Sequence, residues 1–404
     1  MKQAVILTGM MPTAALAAGL FFGTPAVAQV DLTFGVGIRA ESDSNPGLTP
    51  VSSGQTSSIG LNLSFGLVSE TASSSLTLNG SAGLTAASGT GSSGLTSPTL
   101  ALAYTQTTAA ADFTLNGSVS AVDLATTRDV NDFVIGTGSR RTANLATSIT
   151  WGKTAPLGFG LNAAITDVSY YNSPGPGLIA SQTLLVGANA RADLSPVLRF
   201  DLGLSDSRFT QPGLPSRDTI GLDAGLTLQR PQGELALHLA ASDTPDGQRQ
   251  TLRFDQRIDL AAGTLSYSLG ATRGVTDTTR VIGSLDYAQD LAQGALTLGL
   301  RRTVGASAVT DAETVQSSAA LGYNHAVTPR ATLALALNWA EQVDSATNLA
   351  TANTSLAATW TQALPQDWAL DLGLTHRLRD QDGVGTGRSD SVFLELRRDF
   401  SIRY

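Results

Sequence analysis

The sequence predicts an all-β fold, a transmembrane antiparallel up-and-down β-barrel of about 20 strands, within roughly 18 to 22. Three observations lead to this fold class. Charged residues make up only 14% of the 404 residues, whereas average soluble proteins carry about 25%. After residue 28 no stretch is apolar enough to cross a bilayer as a helix, which takes about 20 apolar residues. Apolar and polar residues instead alternate in long segments, as in strands with one apolar face.

The alternation begins close to residue 30. From Val30 to Arg39 every even position is apolar and every odd position is polar or glycine. The same pattern returns in segments 59–67, 222–228, 333–339 and 370–374. The alternating segments run for about 11 to 16 residues, while soluble strands usually have about 3 to 10. A tilted membrane strand needs about 9 to 11 residues plus overhangs, so segment length favours a transmembrane barrel over a soluble sandwich.

The connections between segments are of two kinds. Tight turns are predicted at 231–233, 261–263, 292–294, 328–330 and 365–367, and longer segments rich in Ser, Gly, Pro and Asp at 42–55, 87–97, 128–138, 210–216 and 381–387. Short periplasmic turns at one rim and longer loops at the other are typical of outer-membrane barrels. We expect the first strand (about 30–41) to pair with the last (about 391–404), and no loop to be long enough to fill the lumen.

Aromatic residues agree with this arrangement. Nine of them fall near the tight-turn ends of their segments, with the parity of the predicted lipid-facing side chains. They are Tyr104, Phe113, Trp151, Phe159, Tyr287, Tyr323, Trp360, Trp368 and Phe400. Membrane barrels place aromatic girdles at the two interfaces, so these residues predict one such girdle.

Residues 1–28 have the pattern of a secretory signal peptide. Lys2 provides a positive start, a mostly apolar run follows, and Ala26 and Ala28 supply the small residues of a cleavage site. A membrane anchor is the alternative, and the well-formed cleavage site disfavours it. We therefore expect two regions, a signal peptide over 1–28 and a transmembrane barrel over 29–404, with cleavage after Ala28.

Composition argues against several function classes. The absence of cysteine excludes disulfides and thiolate sites, and an acidic chain without basic clusters makes nucleic-acid binding unexpected. His238 is predicted to face the lumen, whereas His325 and His376 face lipid near opposite rims, so no histidine metal centre is expected. With no Ser–His arrangement on adjacent strands, we expect neither enzymatic activity nor a cofactor.

Oxygen ligands in the first loop offer a weak metal signal. Glu41, Asp43 and Asn45 lie close together in sequence, and such side chains are the ligands that Ca²⁺ prefers. A solvated surface is the favoured interpretation of the same residues.

Charged residues on the predicted inner face are the most distinctive feature of the lumen. They are Arg39, Arg253, Asp255, Arg257, Asp259, Arg301, Arg377, Arg379, Glu395, Arg397 and Asp399, together with Asp31, Glu41 and Arg403. Two interpretations are open and compatible, cross-strand ion pairs that rigidify the wall and a charged pore lining. In this set arginines slightly outnumber acids, which predicts a weak anion preference.

The C-terminal segment ends on an aromatic residue, and Leu394, Leu396, Phe400, Ile402 and Tyr404 share one face. It resembles the C-terminal assembly signal of bacterial outer-membrane barrels, carried here by Phe400, Ile402 and Tyr404. Arg398 departs from that pattern, although near a rim its stem can snorkel. This resemblance implies a cell outer-membrane location in a Gram-negative bacterium, with the barrel-assembly machinery, outer-membrane lipids and lipopolysaccharide as partners.

The Ser-Asp-Ser-Asn-Pro run at 42–46 and the Arg-Arg-Asp-Phe run at 397–400 carry a further resemblance. Across residues 29–404 the chain resembles the porin-like barrels of proteobacteria, including the group called β-barrel porin 2. The expected function is passive diffusion of small hydrophilic solutes, because barrels of about 16 to 18 strands already leave an aqueous channel. The alternatives are export or surface display of a polymer such as exopolysaccharide, and a structural or adhesive barrel. Homo-oligomerisation is left open.

Overall fold

The computed structural model describes residues 29–404 except 53, 90–92, 125–128, 134–137, 173–177, 307–312 and 346. The predicted signal peptide, 1–28, lies outside the described residues. Twenty strands account for most of the described chain. They are β1 Gln29–Asp43, β2 Thr56–Glu70, β3 Ser74–Ser88, β4 Gly94–Thr107, β5 Ala111–Asp123, β6 Ser139–Trp151, β7 Leu157–Tyr171, β8 Ser181–Ser195, β9 Leu198–Thr210, β10 Arg217–Arg230, β11 Gly233–Thr244, β12 Gly247–Leu260, β13 Gly263–Arg273, β14 Thr279–Leu291, β15 Gly294–Ala306, β16 Glu313–Thr328, β17 Ala331–Asp344, β18 Ala350–Ala363, β19 Trp368–Gln381 and β20 Gly385–Arg403.

The strands form one closed antiparallel barrel. Each strand pairs with the next along the chain, and β1 pairs with both β2 and β20. At the closing seam Phe34 lies opposite Phe400 and Ile38 opposite Leu396. The predicted fold class and the predicted pairing of first and last strands are confirmed. Closure leaves no strand edge unpaired, which removes the usual route to edge-to-edge aggregation.

The two faces of the barrel differ in polarity. Large apolar side chains on one face stay exposed, among them Phe34 at 48%, Ile38 at 55% and Leu269 at 63%. The cross-strand register places all nine girdle aromatics on this same face, near the tight-turn ends of their strands. An apolar outward band flanked by aromatics is what a lipid-facing barrel surface requires.

No helix among the described residues is long and apolar enough to cross a bilayer.

The connections at the two rims differ in length. At the rim that holds both termini all nine connections have two to five residues. At the other rim, here called the loop end, the longest connections are 44–55 and 124–138, but 245–246 and 382–384 are as short as turns. The predicted loop at 381–387 is shorter than expected because β19 continues to Gln381 and β20 begins at Gly385.

The expectation that no loop is long enough to fill the lumen stays a prediction, although one connection does extend to the opposite wall. Connection 124–138 leaves β5 and contacts β18 and β19, with β1 to β4 and β20 between them around the wall. The Nδ2 of Asn353 donates to the carbonyl oxygen of Val130 at 2.8 Å, and the Nη2 of Arg379 donates to that of Asp132 at 3.2 Å.

Candidate functional site

All eleven charged residues predicted to line the lumen lie on one face of the sheet. The register places them on the side opposite the exposed apolar residues. This side is the inner one, because Asn353 and Arg379 make contacts across the barrel from it. The charges form a stripe on β12, a larger group on β19, β20 and β1, and the single Arg301 on β15.

The β12 stripe consists of ion pairs along one strand. The Nε of Arg253 donates to Asp255 at 2.9 Å, and the Nε of Arg257 donates to Asp259 at 3.0 Å. The two arginine side chains are 46% and 55% exposed. The Nε2 of His238 lies 3.6 Å from the carboxylate of Asp255. Each arginine is therefore exposed to the lumen and also paired with the aspartate two residues further along the same strand.

Arg39 is the most constrained charge on the closing seam. Its Nε donates to Glu41 at 3.0 Å and its Nη1 to Glu395 at 3.2 Å. Its guanidinium carbon lies 3.6 Å from the centroid of the Phe393 ring, a cation–π contact. Asn62 fixes Glu395 from β2 by donating to its other oxygen at 2.8 Å. The guanidinium is thus held in one orientation by neighbours on β1 and β20, and Glu395 is in turn held from β2.

Two further arginines are paired across the strands of the seam. Arg397 donates to Asp371 at 2.9 Å and to Asp399 at 3.3 Å. Arg403 forms a bidentate pair with Asp31 at 2.7 and 3.0 Å, joining the last strand to the first.

Arg301 behaves differently from the other predicted arginines. It lies on the inner face opposite Ser318 and is exposed. Among the described residues it forms no salt bridge. Its charge is therefore not neutralised by a described carboxylate at contact distance.

Arg377 and Arg379 face inward but are buried beneath the loops, with exposures of 4% and 9%. The Nη2 of Arg377 donates to Asp43 at 2.6 Å, and the hydroxyl of Ser389 also donates to Asp43. The Nε of Arg379 donates to the side-chain oxygen of Asn353 at 2.8 Å. Arg379 therefore anchors connection 124–138 to the wall, whereas Arg377 fixes Asp43 at the end of β1, just before connection 44–55, and both arginines contribute little surface to the lumen.

The Ca²⁺ interpretation of the first loop finds no support in these contacts. The carboxylate of Asp43 accepts hydrogen bonds from Arg377, Ser389 and the backbone N–H of Asn45. Within the part of the chain that the structure describes, no group of three or more His, Asp or Glu side chains could hold a metal ion.

Several inward residues were missed by the sequence analysis. Phe393 and Asp371 have the parity of the inner face on β20 and β19, so alternation alone could have found them. Asn353 has the same parity on β18. Asp132 lies in a connection without periodicity, and no sequence pattern signals its contact with the opposite wall.

A cavity of about 740 Å³ lies against the closing seam. Strands β1 to β5 and β20 line it, and connection 124–138 borders it through Asp129. Its charged lining residues are Arg39, Arg397, Glu41, Asp43, Asp123, Asp129, Glu395 and Asp399. Carboxylates predominate in this part of the lumen.

The complete set of inward charges on the strands also contains more acids than bases. To the predicted residues the register adds Asp43, Glu70, Asp112, Asp193, Asp201, Asp223, Glu234, Asp286, Asp290, Asp344 and Asp371, and also Arg140, Arg191, Arg199, Arg217, Arg249 and Arg280. The described strands thus direct seventeen carboxylates and fourteen arginines inward. The arginine excess that predicted an anion preference is absent.

No family model matches the chain, and no curated protein matches it. Solved structures do share its architecture. The FrpB iron transporter from Neisseria meningitidis (F5-1 variant) is 8% identical with a TM-score of 0.50, over 91% of this chain and 82% of that chain. The siderophore receptor PirA from Acinetobacter baumannii is also 8% identical with a TM-score of 0.50, over 91% and 80%. Pseudomonas aeruginosa OpdK, solved with vanillate, is 12% identical over 93% and 99%, with a TM-score of 0.43.

At such low identity these likenesses show the outer-membrane barrel fold alone. Membership of the β-barrel porin 2 group stays a prediction.

Proposed function

We propose that the chain is an outer-membrane channel for passive diffusion of small hydrophilic solutes, without enzymatic activity. The observation that carries this proposal is the polar inner face of a closed barrel of twenty strands. From β2 to β7 its inward side chains are mostly Ser, Thr, Asn, Ala and Gly. Such side chains tolerate water and leave space, and barrels of about 16 to 18 strands already enclose an aqueous channel.

The selectivity that the charges support is a weak cation preference. Inward acids outnumber arginines, and the seam cavity is lined mainly by carboxylates. The excess is small and most arginines are paired with acids, so the preference should be modest. Salt should reduce it further, because the Debye length is about 8 Å at physiological ionic strength.

A location in the outer membrane of a Gram-negative bacterium follows from the same proposal. The outward apolar band would contact outer-membrane lipids and lipopolysaccharide. Phe400 and Ile402 lie on the outward face, paired with Phe34 and Leu32, which suits a role in recognition by the barrel-assembly machinery. N-terminal sequencing of protein from an outer-membrane fraction should begin at Gln29, and recovery with Met1 intact would contradict this location.

Conductance measurements test the channel directly. Residues 29–404 would be refolded in detergent and added to planar bilayers under a KCl gradient, with detergent alone and heat-unfolded protein as controls. We expect discrete current steps and a small reversal potential of the sign for cations. A folded barrel that gives no conductance would contradict the proposal and favour the polymer-export or structural alternatives.

A further inference from the structure

Residues 129–133, here called the strap, form an ordered turn at the far point of connection 124–138. The backbone N–H of Asp132 donates to the carbonyl oxygen of Asp129 at 3.1 Å, and that of Asn131 donates to the Asp129 carboxylate at 2.9 Å. The strap therefore has a defined conformation of its own, and its contacts with the barrel can be assigned to particular atoms.

The strap is attached at both sides of the lumen. On its own side, the carboxylate of Asp132 accepts two hydrogen bonds from Arg140 of β6, at 2.7 and 3.2 Å. On the far side, its backbone accepts from Asn353 of β18 and Arg379 of β19. Charge-assisted bidentate pairs of the first kind are strong and geometrically specific. The second attachment has no bidentate pair and consists of one hydrogen bond from each side chain to a carbonyl oxygen, together with attraction between the Arg379 guanidinium and the Asp132 carboxylate.

The far attachment is also preorganised. The Nε of Arg379 donates to Asn353, so the two side chains that hold the strap orient each other. Asp132 and Asn353 are only 8% and 4% exposed, which shows that the contact excludes water. The strap thus lies between the walls at the loop end of the barrel, and it borders the seam cavity through Asp129.

From this geometry we propose that the strap is a releasable cover of the loop-end mouth, hinged at Arg140 and latched on Asn353 and Arg379. The inference rests on the proposed channel function and adds its regulation. Breaking the latch frees the strap while Arg140 still holds its other side, and the passage at the mouth widens. The open and latched forms then differ in conductance.

Two latch variants and two matched controls test the proposal in planar bilayers. Asn353→Ala removes one latch contact without a change of charge, and Arg379→Ala removes the other. Asn338→Ala and Arg208→Ala make the same substitutions at residues that no described contact joins to the strap, the first on the inner face and the second on the outer face. We expect both latch variants to raise single-channel conductance about two-fold or to add a second, larger level, with the controls at the wild-type value.

Thiol labelling follows the strap without any need for conductance, because the chain has no cysteine. Val130→Cys keeps the backbone contact to Asn353 and places a half-buried thiol on the strap. Adding Asn353→Ala should speed its reaction with a bulky water-soluble maleimide about tenfold, as local opening does, and adding Asn338→Ala should not. Circular dichroism and heat-modifiable migration verify that each variant is folded.

Unchanged labelling in the folded Val130→Cys/Asn353→Ala variant would overturn the strap proposal, whatever its conductance. Unchanged conductance of both latch variants, with a conducting wild type, would overturn it as well. Faster labelling in barrels that are all silent in bilayers would support the strap and contradict the channel, so the two failures are distinguishable.

Discussion

The inner surface of the barrel has two walls of opposite design. The charged wall, formed by β19, β20 and β1, carries ion pairs such as Arg377–Asp43 and Arg39–Glu395. The neutral wall, formed by β2 to β7, carries inward charges only near strand ends. Its side chains pair through hydroxyls, as in the Thr114–Ser148 contact at 2.7 Å.

The difference shows that the buried inward charges lie where the connections and the closing seam are attached to the wall. Both inward connections are fixed to the charged wall, through Asn45 and Asp132, and the barrel closes there through Arg403 and Asp31. Burying a charge is costly unless a partner and hydrogen bonds compensate it, and the charged wall supplies both. On the neutral wall the ion pair between Arg140, at the loop-end start of β6, and Asp132 makes one such attachment, and over the rest of that wall hydroxyls and amides suffice and remain available to water.

The largest loss of stability is expected when a buried charge is removed from the charged wall. Arg377→Ala leaves the carboxylate of Asp43 buried without its cation, and loss of one partner of a buried pair typically costs about 3 to 5 kcal/mol. Arg257→Ala is the control, since that pair is half exposed and exposed pairs contribute about 0 to 1 kcal/mol. The free energy of unfolding in urea, measured in lipid vesicles, compares the two. Equal losses would show that burial of the first pair has no special weight.

The backbone of the charged wall should be nearly as sensitive as its side chains. A Cβ at Gly387 would collide with the carbonyl oxygen of Leu48, which lies in connection 44–55. Gly387→Val should displace that connection and destabilise the barrel by about 1 to 3 kcal/mol, as overpacking does.

Gly203→Val is the matched control for that substitution, because its new Cβ would meet only the Cβ of Asp223, at ordinary contact distance. Limited proteolysis at connection 44–55 and urea unfolding measure the two effects. Cleavage of the Gly387→Val variant no faster than that of Gly203→Val would contradict the packing argument.

How far the sequence predicts these walls depends on the range of the contacts. Alternation with a period of two places Arg253 and Glu395 on the inner face, and it also holds for Phe393, which went unnoticed. The contact of Asp132 with Arg379 joins residues 247 positions apart, and only the folded connection brings them together. Asp43 is the last residue of β1, where alternation ends, so its burial under a loop could not be foreseen. Periodicity predicts faces, whereas pairing across a lumen requires the closed barrel.

The exposed charges of β12 test whether inward charges that are not buried affect ion permeation rather than stability. Arg253→Ser combined with Arg257→Ser leaves Asp255 and Asp259 without their arginines, so the reversal potential under a KCl gradient should shift toward cations. The barrel should stay folded because these pairs lie in the solvated lumen. The shift should shrink in 1 M salt, where the Debye length is about 3 Å. A shift toward anions, or none at low salt, would show that β12 lies off the conducting path.

The smallest effect is expected on the neutral wall, from a double-mutant cycle on Thr114 and Ser148. Each substitution to Ala removes a hydroxyl from a part-buried contact, and the remaining hydroxyl can turn to water. The net contribution of such a hydrogen bond is about 0.5 to 1.5 kcal/mol, and the coupling energy should not exceed it.

The same cycle on Arg377 and Asp43 should give a larger coupling, because either single substitution leaves a buried charge that the double variant removes. Neither neutral-wall variant should move the reversal potential, since no charge changes. A coupling between Thr114 and Ser148 as large as that between Arg377 and Asp43 would mean that the two walls contribute to stability in the same way, and the contrast between them would then be one of chemistry only.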